Sequence, residues 1–160
     1  MNLTIRLTMH EHGWASLIIR YDQREVNVDL SDVFDPFREL VEWGYIIQKN
    51  ILPASITINE EGHLIMLDAT YSSSEDQFHL LATGSYMNQV YMDINLNRLS
   101  FCNLLKKEII RFFKDEFNEQ HWDSYYEKQD INPFSLKSWV LSHSWILDKG
   151  VNQNIDLEIE

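Results

Sequence analysis

Apolar and polar residues alternate at the start of the chain. Leu3, Ile5, Leu7 and Met9 are separated by Thr4, Arg6 and Thr8, the period of a half-buried strand. His10-Glu11-His12-Gly13 then reads as a turn. Trp14 to Tyr21 follows, with Ala15, Leu17, Ile19 and Tyr21 on one face. Asp22-Gln23 makes a tight connection, and Val26, Val28 and Leu30 alternate with Asn27 and Asp29. The pattern predicts an antiparallel meander of three strands.

The period then changes. Asp35-Pro36 is a helix start, with Asp as the cap and Pro at the first helical position. Phe37, Leu40, Val41, Gly44 and Ile47 follow helical spacing. Gly44 weakens a helix, so it predicts a close contact with the sheet. Pro53 closes the segment. Four more strands follow in hairpin order. They are marked by Ile56 and Ile58, by Ile65 to Tyr71, by Phe78, Leu80 and Ala82, and by Val90, Met92, Ile94 and Leu96. Turns fall at Glu60-Glu61-Gly62, at 72–76 and at Gly84-Ser85.

Leu99, Cys102, Leu105, Ile109, Phe112 and Phe113 form an apolar stripe on a long helix from about Leu99 to Phe117. Lys106, Lys107, Arg111 and Lys114 fall outside the stripe. With Glu108, Asp115 and Glu116 among them they read as a solvated face, with Arg111 paired to Asp115. Another helix is expected from Ser135 to about Leu147, turning His143 inward. The last residues, 151–160, read as an edge strand or a frayed tail. The predicted class is α+β: one antiparallel meander sheet of about seven strands, a helix inserted after the third, and two helices C-terminal to the sheet, packed on one face. One domain spans 1–160, within the usual domain size.

Charge changes the functional picture. The formal net charge is −12. Such a field repels nucleic acid and anionic membrane surfaces and favours a basic protein partner. It is also uneven, because residues 50–97 contain no Lys or Arg. Cys102 is the sole cysteine, so no intrachain disulfide forms. No signal-peptide pattern or apolar membrane run is present, and a cytoplasmic location is expected.

Candidate chemistry is sparse. His10 and His12 lack the further ligands that zinc needs. His63 and His79 are expected in strands, facing each other across the sheet. Asp29, Asp32 and Asp35 recur at the wrong spacing for a calcium loop, which also needs a glycine. Cys102 lies in the apolar stripe and reads as a small buried hydrophobe. No glycine-rich phosphate loop or nucleophile elbow occurs. No catalytic residue, cofactor or metal is expected.

Trp14-Ala15-Ser16-Leu17 with its strand, Asp35-Pro36-Phe37-Arg38-Glu39-Leu40, Glu61-Gly62 and the strand leading into the long helix resemble small bacterial immunity proteins of polymorphic and contact-dependent toxin systems. The resemblance implies a protein that binds and neutralises a basic toxin domain. The turn and loop acids Asp29, Asp32, Glu60, Glu61, Glu75 and Asp76 are its candidate contacts, steering association electrostatically. Two other readings stay open. One is a small-ligand protein or enzyme with a cleft between sheet and helices. The other is a homodimer joined through exposed Trp122, Tyr125 and Tyr126.

Overall fold

The computed structural model of the protein describes residues 2–122 and 135–149. Three strands come first: β1 (Leu3–Met9), β2 (Trp14–Tyr21) and β3 (Arg24–Ser31). A single 3-10 turn, Asp32–Phe34, leads to helix α1 (Phe37–Gln48). Strands β4 (Ala54–Asn59), β5 (Leu64–Tyr71), β6 (Gln77–Gly84) and β7 (Val90–Asn97) run directly into helix α2 (Arg98–Asp115). Helices α3 (Leu136–Ser142) and α4 (Ser144–Leu147) follow.

The strands fall where alternation places them, but they do not make one sheet. β1-β2-β3 form a three-stranded antiparallel sheet and β4-β5-β6-β7 a separate four-stranded one. The outer edge of β3 pairs with no strand. Its Asp29 N–H is taken by the Glu60 carboxylate at 2.7 Å, a side chain and not a neighbouring strand. β3 instead touches both outer strands of the second sheet, β4 and β7, and so runs across it.

Unpaired strand edges invite association with other chains. Here side chains occupy groups on every outer strand. The Trp43 indole donates to Ala54 O on β4 at 3.1 Å, and Arg24 donates to Asp93 O on β7. On β1, Glu108 accepts the Leu7 N–H at 2.8 Å while Arg111 donates to Leu7 O at 2.7 Å. Glu116 accepts the Met9 N–H at 3.1 Å.

These last contacts correct the expected solvated face of α2. Arg111 turns inward and grips both oxygens of the buried Glu108, at 2.6 and 2.9 Å. It also donates to Glu116 at 2.8 Å, where Asp115 was the expected partner. The hydrogen bonds that Arg111 donates to Glu108 raise its pKa against the opposing effect of burial, with Glu116 adding to the rise. Burial alone would push the Glu116 carboxyl up. Hydrogen bonds from Arg111 and the Met9 N–H, with the charges of Arg111 and Arg6, outweigh it and hold the carboxyl below its ordinary value.

A carboxyl with a depressed folded pKa adds stability above its unfolded pKa and loses it as the pH falls through the folded value. Glu116→Gln is therefore expected to destabilise the protein at about pH 7 and much less at about pH 3. Urea midpoints at the two pH values read this directly. An equal difference at both would rule out the linkage.

The inner faces of both sheets share one core with the helices. Leu7, Leu17, Ile19, Val28, Leu67 and Leu80 are fully buried with Phe112 and Ile109. Phe78 of β6 meets Phe101 of α2 at 5.1 Å, which meets Trp43 of α1 at 5.8 Å. Trp122, expected as an exposed dimer contact, is buried at 1 % exposure, its ring 5.1 Å from Phe37. Its ring has found the apolar pocket that an amphipathic aromatic seeks when one is within reach. Tyr125, Tyr126 and the tail at 151–160 lie outside the described residues.

The helix start shifts by one residue: Pro36, expected as the first helical residue, is the cap and bonds through no side chain, while Asp35 before it accepts the Phe37 N–H at 3.0 Å. The close contact of Gly44 is with α2 and α4. A Cβ there would meet the Trp145 ring at 2.8 Å or nearer and Leu105 at 3.1 Å. The single helix expected over 135–147 breaks at His143, whose extended backbone (ψ 137°) ends α3 while its ring caps α4. His143 turns inward only in part: it is half-buried, and its Nε2 meets the exposed Glu42 at 2.8 Å. Burial pushes the Cys102 thiol up to about 12, consistent with an unreactive core residue.

Candidate functional site

Register decides which loops share an end of the four-stranded sheet. Ile65 pairs with Gly84, and Leu64 and Ser85 exchange hydrogen bonds through the Ser85 hydroxyl and backbone. The β4–β5 turn and the β6–β7 loop are therefore neighbours. The end of β3 joins them. Asp29 N–H binds Glu60, and the Ser31 hydroxyl donates to Glu61.

Four of the six predicted acids thus gather at one end: Asp29, Asp32, Glu60 and Glu61. Glu75 and Asp76 sit in the β5–β6 turn at the opposite end, one eight-residue strand away, or roughly 25 Å. The four are not equivalent. Glu60 is largely buried and committed, with one oxygen on Asp29 N–H and the other 2.7 Å from His63 Nδ1. The Asp32 carboxylate packs against Gly13, where a Cβ would collide with it. Asp29 and Glu61 are exposed.

His63 and His79 do not face each other. His63 lies in the turn before β5, while His79 of β6 opposes Thr70 and binds Asp93 at 2.7 Å. The Glu60 carboxylate can only accept, so His63 Nδ1 carries the proton. Its Nε2 is then an acceptor in the neutral ring, buried and without a partner.

The exposed apolar residues at this end escaped the sequence reading. Tyr86 is 70 % and Met87 83 % exposed, and Val90 is exposed beside them. Met87 and Asn88 both have positive φ, 55° and 50°, across the turn closed by Gln89 N–H to Tyr86 O. Such a turn favours Asn-Gly. A methionine there is held in a left-handed backbone with its side chain in water. Strained backbone and exposed apolar groups concentrate at functional surfaces. A signal existed in the sequence: Tyr86-Met87 lies between the predicted Gly84-Ser85 turn and the strand at Val90, where polar residues are the rule.

The sheet behind this loop is free of cations of its own. No Lys or Arg occurs from 50 to 97, against six acids. Exposed Leu64 and Met66 extend the apolar patch onto the outer face.

Surface grooves among the described residues are open to solvent. No group of three or more His, Cys, Asp or Glu side chains among them is arranged to hold a metal ion. No helix among them is long and apolar enough to cross a membrane. Comparison with protein-family models, curated proteins and solved structures finds no match. The functional reading therefore rests on the surface itself.

Proposed function

We propose that the protein acts by binding rather than by catalysis, docking a basic protein partner on the end of the four-stranded sheet. The mode is that of an immunity protein neutralising a toxin domain. The observation that carries this is the Tyr86-Met87 loop, two exposed apolar side chains on strained backbone within a cation-free, acidic sheet. Apolar anchors ringed by charge are the make-up of a protein interface, in which the anchors supply affinity and the charges supply rate and specificity. Asp29 and Glu61 lie at the contact, and Asp32 and Glu60 build it. Glu75 and Asp76 add to the long-range field from the far end. A second copy of the chain would bring another −12 charges to the same surface, which disfavours self-association there.

Co-expression with the products of neighbouring reading frames tests the reading. A basic protein is expected to co-purify, with an association rate that falls about tenfold or more between about 50 mM and 500 mM salt. A partner without net positive charge, or a rate indifferent to salt, would overturn it.

A further inference from the structure

The end of the sheet contains a groove of about 560 Å³, lined by Gly62, His63, Ser85, Tyr86, Gln89 and Tyr91. We propose that this groove receives the guanidinium of one arginine side chain of the basic partner. The inference rests on the docking reading and names the group that the surface selects.

Three features of the groove point to a flat cation that only donates. His63 Nε2 is buried with no hydrogen-bond partner, and with Nδ1–H donating to Glu60 the neutral ring leaves Nε2 to accept. Gly84 has no side chain, so the Tyr91 ring and His63 close directly over its backbone. A Cβ there would lie 2.9 Å from the Tyr91 hydroxyl and 3.0 Å from His63 Nε2, so these two groups converge on one spot. Tyr86 stands at the rim with most of its ring in solvent, offering a face on which a guanidinium stacks. Glu61, beside Gly62 in the same turn, sets a negative potential, and residues 50–97 contribute no cation to compete.

Arginine fits better than lysine. Its planar fork can stack on a tyrosine and donate in two directions at once, whereas an ammonium is a strongly hydrated point charge. Because Nε2 is fully shielded from solvent, binding includes an outward shift of the adjacent Tyr91 phenol.

The test uses N-acetyl-arginine methylamide as probe, titrated into the isotope-labelled full chain and followed by amide chemical shifts. The matched control is N-acetyl-citrulline methylamide, which has the same shape and no charge. Saturable shifts are expected at 62–63 and 84–91 with arginine alone. Tyr86→Ala and His63→Phe should each weaken the probe about fivefold or more. Tyr86 is exposed, so its variant stays folded and decides the matter if the His63 variant does not fold. Equal shifts with citrulline, shifts as large at 75–76, or unchanged affinity in Tyr86→Ala would overturn the inference. A salt-dependent basic complex that ignores Tyr86→Ala would also remove the arginine site while leaving the docking reading in place. Absence of any basic complex, with the probe still saturating the groove, would do the reverse.

Discussion

Glu108→Ala is expected to destabilise the protein by about 3 kcal/mol, a large share of the roughly 5–15 kcal/mol that holds a domain together. The loss has two parts. The Leu7 N–H, buried at the edge of β1, loses the acceptor 2.8 Å away and has no strand beyond it. Arg111 keeps Glu116 but loses the bidentate partner that brought it out of water. Removing one member of a buried pair costs more than the pair itself contributes, because the other charge remains. Glu108→Gln separates the two parts, since the amide oxygen still accepts from Leu7 while the charge is gone. It should cost less than alanine. Exposed Lys107 on the same helix is the control, with an expected effect within about 0.5 kcal/mol. Denaturant midpoints for the three variants read the series. A Glu108→Ala value near that of Lys107→Ala would show that α2 does not clamp β1.

Trp145→Ala is expected to cost about 3–5 kcal/mol, in the range for an aromatic removed from a core. Trp145 fixes the short C-terminal helices to the body. Its ring lies on the bare Gly44 of α1, and its indole N–H donates to Gln48 at 2.6 Å. Lys106 of α2 covers the ring with its ammonium 5.5 Å from the centroid. Burial lowers the Lys106 pKa, partly opposed by the charge of Asp148. The backbone N–H of Trp145 donates to His143 Nδ1 at 3.1 Å, which leaves the Nε2 proton to bind Glu42. Gly44→Ala attacks the same contact from the other side. It should destabilise the native protein clearly and the Trp145→Ala background little, since the clash is gone. Strictly additive effects would mean that the two residues do not share one contact.

Much of the fold was legible because local rules agreed with tertiary structure. Strict alternation placed all seven strands, and the apolar stripe from Cys102 to Phe113 placed α2, although Leu99, expected in the stripe, is exposed. What was not legible depends on partners distant in sequence. Arg111 looks solvated beside Lys107 and Lys114, yet its decisive contact is Leu7, 104 residues earlier. The chain divides into two sheets, with the Glu60 side chain and no strand on the Asp29 N–H of β3, and alternation carries no record of that.

The candidate site was legible by halves. Turn acids could be found, and the gathering of Asp29 with Glu61 required the register. The Glu60–His63 pair was within reach, since a two-residue turn brings its flanking residues together. The Tyr86-Met87 tip was passed over because turn positions are read for glycine and acids, not for apolar side chains that break the rule.

The location of the docking surface is tested most directly by association rates of two charge-neutralising double variants with the co-purified basic partner. Asp29→Asn/Glu61→Gln removes two acids from the proposed surface, and Glu75→Gln/Asp76→Asn removes two from the far end. Overall charge falls equally in both. The first pair is expected to slow association several-fold more than the second, by about three- to tenfold. Equal slowing, or the greater loss from the far-end pair, would contradict docking at the Tyr86-Met87 end of the sheet.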